Sequence, residues 1–116
     1  MERLRRRADF LKAAAGRKVA AVPFVLQALA RPSADPPRVG FTVSRTVGTA
    51  VERNRVRRRL REIVKRAATR LHPGYDYVVV GRRAALREPF DRMVAAFAAA
   101  VERVHAPRAG REQRAP

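Results

Sequence analysis

The sequence predicts an α+β fold: a single small domain with a central mixed β-sheet packed by helices. Three observations lead there. A chain of 116 residues buries one modest core, so one sheet and a few helices are its limit. Residues 38–45 alternate apolar and polar side chains as a half-buried strand does, and residues 75–81 hold a near-continuous valine run that suits burial on both faces. Between them, residues 49–71 carry apolar side chains at helical spacing, so strand, helix and strand form a crossover unit.

Residues 1–105 read as one domain that opens with a basic arm at 1–8, loose at its start. Ala8 to Ala15 favours helix by propensity, and Gly16 can stop it. Val19 to Ala30 is apolar, and its β-branched and aromatic content favours a strand. Pro23 places that end at a sheet edge or a bulge. Phe24, Leu26 and Ala28 then share one face, and Val25, Gln27 and Leu29 the other. The turn cluster RPSADPP at 31–37 suggests a hairpin joining this strand to the next. In that next strand Val39, Phe41 and Val43 point to the core. Gly40, Thr42 and Ser44 leave a small polar face that suits something lying against it.

Thr49 and Glu52 have the spacing of a capping box, and Pro73-Gly74 ends the helix that follows. Projected at about 100° per residue, Val56, Leu60, Ile63, Val64, Ala67 and Leu71 form one stripe. Asn54, Arg58, Arg61 and Lys65 lie nearly opposite, Arg57 sits at the shoulder, and Arg55, Arg59 and Arg66 flank the other side. Glu88 to Val104 is a second amphipathic helix, with Phe90, Val94, Phe97 and Val101 at helical spacing. Residues 106–116 read as a disordered basic tail.

Charge points to a partner. The net charge is +17, from 27 Lys+Arg against 10 Asp+Glu, and the sequence pI is about 11.9. Self-repulsion at that level opposes compaction, so a polyanion is the economical explanation. Arginine predominates, and its fork binds phosphate through two bonds at once. There is no cysteine, which excludes disulfides and thiolate metal sites and permits a reducing, cytoplasmic location. No apolar run approaches the ~18 residues of a membrane span. The arginine-rich N-terminus lacks serine and carries Glu2 and Asp9, which argues against a transit peptide.

From Arg53 to Arg61, six of nine residues are arginine. A merely solvated helix face mixes charge signs at i,i+4 to support itself, whereas here like charges recur at that spacing. The expected strand before this helix argues against a helix-turn-helix. A basic helix beside a small-residue strand face suits RNA backbone and single-strand contacts better. A nuclease acting through side chains needs a carboxylate cluster or a histidine base. The acidic residues are scattered, His72 reads as a helix cap or a solvated residue, and His105 lies near the tail. No catalytic residue is therefore assigned, and any chemistry belongs to a partner.

Residues 38–62, RVGFTVSRTVGTAVERNRVRRRLRE, resemble the signature region of the protein subunit of bacterial ribonuclease P. The matching positions are Val39-Gly40, Val43-Ser44-Arg45, Val47-Gly48, Ala50-Val51, Arg53-Asn54-Arg55, Arg57-Arg58 and Arg61. Asp9-Phe10, Phe24-Val25-Leu26 and Tyr75-Asp76-Tyr77 agree in the flanks, so the resemblance covers roughly residues 3–104.

The resemblance implies a ribosomal protein S5 domain 2-like fold with a left-handed β-α-β crossover, against the general right-handed preference. It implies a protein that binds a large catalytic RNA and, with it, removes the 5′ leader from precursor tRNA. Arg53, Asn54, Arg55, Arg57, Arg58, Arg61, Lys65 and Arg45 would then face RNA. Phe10, Gln27, Thr42 and Ser44 would line a cleft for the single-stranded leader. Mg2+ would act through the RNA subunit, with no metal held tightly by the protein. No membrane and no obligate protein partner is expected. Two positions depart from the family pattern: Ala14 and Gln27 stand where many members carry aromatics. A leader held here would rely less on stacking and more on phosphate contacts. The rival readings are a ribosomal protein or general RNA chaperone without a processing reaction, and a self-sufficient ribonuclease.

Overall fold

The computed structural model describes residues 2–107. Five strands form one sheet: β1 (Glu2–Arg3), β2 (Arg17–Ala20), β3 (Phe24–Ala30), β4 (Arg38–Thr42) and β5 (Tyr75–Gly81). Three helices pack on it: α1 (Arg7–Ala14), α2 (Ala50–Arg66) and α3 (Phe90–His105). The strand order is β1-β4-β5-β3-β2. β4 runs parallel to β5 and β3 antiparallel to it, so the sheet is mixed.

β5 takes the centre because both of its faces are buried and, apart from Asp76, apolar. Asp76 to Val79 is a buried run, and a strand apolar on both sides is stable only between two neighbours and two helical layers. β4 and β5 are adjacent and parallel with α2 between them in sequence, which is the expected β-α-β crossover. The central position of β5 also removes the hairpin expected across 31–37. β3 and β4 flank β5 and do not pair, and the proline-rich connection passes the start of β5 instead. Gly74 fixes that crossing: its N–H donates to Asp35 O at 2.7 Å and its carbonyl accepts from Arg31 N at 2.7 Å. Its φ is 78°, and a Cβ there would overlap the Ser33 carbonyl oxygen, so only glycine fits.

The apolar run 19–30 is two strands, not one. Ala20 pairs with Val25, and Ala21 N–H closes the turn on Phe24 O at 2.8 Å. Pro23, with no N–H to give a ladder, sits in that turn and not at a bulge. The arm also differs from expectation: β1 pairs in parallel with β4, and Leu4 is buried. Residues 108–116 of the expected tail lie outside the described residues. Ala106, within it, accepts a hydrogen bond from Arg17 at 2.6 Å.

The two sheet faces are covered unequally. α2 and α3 cover the face carrying Phe24, Leu26, Val39, Val43, Tyr77 and Val79, forming the main core. The α2 stripe is as expected: Val56, Leu60, Ile63 and Val64 are fully buried. In α3 the buried line is Met93, Phe97, Ala100, Val101 and Val104, so Phe90 and Val94 lie at its border. Phe97 meets Phe24 edge-on at 5.8 Å between centroids. The opposite face carries only α1, where Ala13 is buried with Leu4 and Val78 and Phe10 packs alongside.

Candidate nucleic-acid interface

The basic helix begins where its sequence says. Thr49 Oγ1 accepts from Glu52 N–H at 3.2 Å, and Glu52 Oε1 accepts from Thr49 N–H at 2.9 Å. The Thr49 N–H bond, reinforced by Arg83, holds the Glu52 carboxyl below its ordinary range. Arg83 braces the same corner by donating to Val47 O at 2.6 Å.

The arginines of α2 divide by what they touch. Arg55, Arg58 and Lys65 are exposed and make no side-chain hydrogen bond or ion pair among the described residues, as does Arg45 in the preceding 3-10 turn (Arg45–Val47). Arg57 donates to Asn54 Oδ1 at 3.0 Å. Arg61 lies over the Phe41 ring, 5.9 Å from its centroid, and its Nε–H is buried without an acceptor among the described residues. Arg53, which projects toward the apolar stripe, folds back to donate to Gly48 O at 3.0 Å. Arg59 is structural: its guanidinium donates to Ala85 O and, at 2.7 Å, to Glu88 O, tying α2 to the loop before α3. Arg66 stacks on Phe90 at 5.2 Å.

Two troughs flank this helix. One, lined by Arg55, Arg58, Arg59, Glu62 and Phe90, lies toward α3. The other runs between α2 and the β4 edge, past Arg57, Arg61 and Phe41. It opens toward α1, where Phe10 and Thr42 border one groove with Arg5, Arg7 and Arg57. Gln27 and Ser44 stand apart from it. Gln27 pairs with Val78, which pairs with Gly40, so two strand spacings (about 9–10 Å) separate Gln27 from the strand beneath Phe10. The Ser44 hydroxyl is 2.6 Å from that of Thr46.

A carboxylate network holds α1 to the sheet. Asp76, 3% exposed, accepts two hydrogen bonds from Arg38 at 2.8 and 2.7 Å. Arg31 Nε lies 2.9 Å from Asp76 Oδ1 with its N–H poorly aimed, so that contact is ionic only. Arg38 also reaches Asp9, the neighbour of Phe10, at 3.6 Å. Its hydrogen bonds to Asp76 raise the Arg38 pKa further above its ordinary value. Among the described residues no three acidic or histidine side chains gather as metal ligands. Asp9, Asp76 and Glu52 each lie within ion-pair distance of an arginine.

Sequence reasoning read the arm as loose at its start and missed both its docking and the structural use of Arg59. Leu4, a lone apolar residue among arginines, was the available signal that the arm docks. Nothing local distinguishes Arg59 from its neighbours, because its carbonyl acceptors lie 26 and 29 residues away.

Fold and surface together define a small α+β protein whose surface grooves are lined by arginine. The ribonuclease P family model matches residues 1–105, and the chain belongs to that family. A ribonuclease P protein component of Gluconacetobacter diazotrophicus is 57% identical over 83 residues, covering 69% of this chain and 71% of the relative. The solved ribonuclease P protein of Thermotoga maritima superposes with a TM-score of 0.76 at 29% identity, covering 91% of this chain and all of that one. A Staphylococcus aureus ribonuclease P protein, solved as a mutant with defective mRNA degradation activity, gives 0.75 at 28% identity, covering 86% and 85%.

Proposed function

We propose that the chain is the protein component of ribonuclease P. It binds the catalytic RNA subunit along α2 and the 5′ leader of precursor tRNA in the groove beside α1. The observation that carries this reading is the set of exposed cations Arg45, Arg55, Arg58 and Lys65, unpaired among the described residues, together with a groove that holds both Phe10 and Arg57. Cations without internal partners are free to neutralise phosphates, and an aromatic in a basic groove can stack a base. Hydrolysis is the work of the RNA subunit with its Mg2+. The protein relieves phosphate repulsion and positions the leader. Cytoplasmic tRNA maturation follows from that role.

A second reading, RNA cleavage by the protein itself, is favoured only by the mRNA degradation activity of the Staphylococcus aureus relative. One assay separates the two. Purified, nucleic-acid-free protein is incubated with precursor tRNA and with an mRNA fragment, with and without the catalytic RNA. Leader removal only in the presence of that RNA supports the proposal. Leader removal by the protein alone overturns it.

A further inference from the structure

The arm at the N-terminus is docked, and its arginines are consequently fixed. Glu2 and Leu4 donate their N–H groups to Pro37 O and Val39 O, each at 2.9 Å. Leu4 is buried with Ala13 and Val78. By strand alternation the Arg3 N–H faces out from the sheet edge. Arg3 and Arg5 are exposed and make no side-chain hydrogen bond or ion pair among the described residues. Fixing these like charges near Arg57 and Arg61 is unfavourable unless an anion fills the space between.

The space is a row of adjoining pockets that share lining residues. From Phe10 and Thr42 it passes Arg5 and Arg57, crosses Gly40 and Phe41 beside Arg3 and Arg61, and reaches Lys65. Aromatic rings alternating with cations along a track are the chemistry of single-stranded RNA binding, and an acidic peptide would gain little from the rings.

We infer that the arm builds a second leader subsite. Arg3 and Arg5 grip phosphates of the leader beyond those nucleotides that lie against Phe10, as the strand crosses the β1–β4 edge toward α2. This rests on the reading of the Phe10 groove as the leader cleft.

The test uses the reconstituted holoenzyme, with mature tRNA and precursors whose leaders are about 4 and about 12 nucleotides long, spanning common single-strand site sizes. The double variant Arg3→Ala/Arg5→Ala keeps the main-chain pairing and Leu4. It is expected to lose on the order of tenfold in affinity for the long leader, with a salt slope shallower by about 1.4 units for two lost phosphate contacts. Affinity for the short leader and for mature tRNA should stay unchanged, and Arg3→Lys/Arg5→Lys should recover most of the loss. Equal weakening of all three RNAs overturns the inference and assigns the arm to the RNA subunit. No weakening at all overturns it outright. Phe10→Ala is measured in parallel. If it weakens both precursors more than mature tRNA while the arm variant does nothing, the cleft stands and the subsite falls. If Phe10→Ala weakens all RNAs equally, the cleft reading itself falls.

Discussion

The ring of Phe10 occupies the space that any side chain at position 40 would need. A Cβ built on Gly40 would lie 2.5 Å from Phe10 Cζ and 3.0 Å from Leu4 Cβ. The missing side chain lets α1 and the arm approach β4 together, and it seats the ring at the mouth of the groove. Gly40→Ala is therefore expected to push Phe10 outward and to cost about 1–3 kcal/mol through overpacking. Thermal melting reads the stability. The ratio of affinities for precursor and mature tRNA reads the ring position, and it should fall toward that of Phe10→Ala. A lower melting temperature with full discrimination would show that the seat of Phe10 does not matter to the leader.

Asp76 and Arg38 make a different kind of prediction. Arg38→Ala removes the bidentate partner of a buried carboxylate and leaves only the poorly aligned Arg31. Breaking a buried pair costs about 3–5 kcal/mol when no second cation is present. With Arg31 remaining, a loss of about 2–3 kcal/mol is expected on that same scale. Because Arg38 also reaches Asp9, the preference for leader-bearing RNA should weaken with it. Denaturant titration of Arg38→Ala and Arg31→Ala compares the two. A larger loss for Arg31→Ala would contradict the assignment of Arg38 as the main partner.

Arg58 and Arg59 are neighbours in opposite surroundings, the first exposed and the second bonded to two carbonyls. Arg58→Ala should leave stability unchanged, flatten the salt dependence of RNA binding by about 0.7–0.9 units, and raise the Mg2+ needed for cleavage. Arg59→Ala leaves the carbonyls of Ala85 and Glu88 without their donor, so it should cost about 1–3 kcal/mol of stability with the slope intact. Salt titrations and melts of both variants give four numbers. The reverse pattern would mean that Arg59 reaches RNA and Arg58 does not.

These contrasts mark what sequence could and could not supply. The capping box, the buried stripe of α2 and the two-sided valine run of β5 follow from period and propensity, and they appear as expected. The order of strands does not, because Phe24–Ala30 and Arg38–Thr42 are equally able to pair with each other. What separates them is the demand of β5 for two neighbours, a property of the whole sheet. The same holds for the site. Helical projection sorts arginines by direction, but it cannot tell Arg58, which meets only solvent, from Arg59, which meets distant carbonyls. The arm needed Leu4 to join Ala13 and Val78, distant in sequence, in one cluster before its arginines acquired fixed places.

The C-terminal end of α3 carries a pH dependence that the sequence only hinted at. His105 stacks flat on His72 at 3.6 Å, and Tyr75 and Tyr77 meet its ring edge-on. The Tyr77 hydroxyl accepts from His72 N–H at 2.9 Å and shares a hydrogen bond of 2.6 Å with His105 Nε2. Burial, with help from His72 and Arg17, lowers the His105 pKa to about 4, and burial likewise raises that of Tyr77 to about 12. The unfolded chain has His105 near its ordinary value of 6.5 and so binds the proton first. Stability is thus complete above pH 6.5 and falls as pH drops toward 4. The slope is bounded by about 1.4 kcal/mol per pH unit, and partial exposure of the ring keeps it below that bound. Between pH 6.5 and 5 the loss precedes most carboxylate titration. His105→Phe keeps an aromatic against His72 but cannot take a proton. Its melting temperature should start lower at pH 7, having lost the Tyr77 bond, and then decline less than that of the native chain between pH 6.5 and 5. Parallel curves for the two proteins would show that His105 is not the group that titrates.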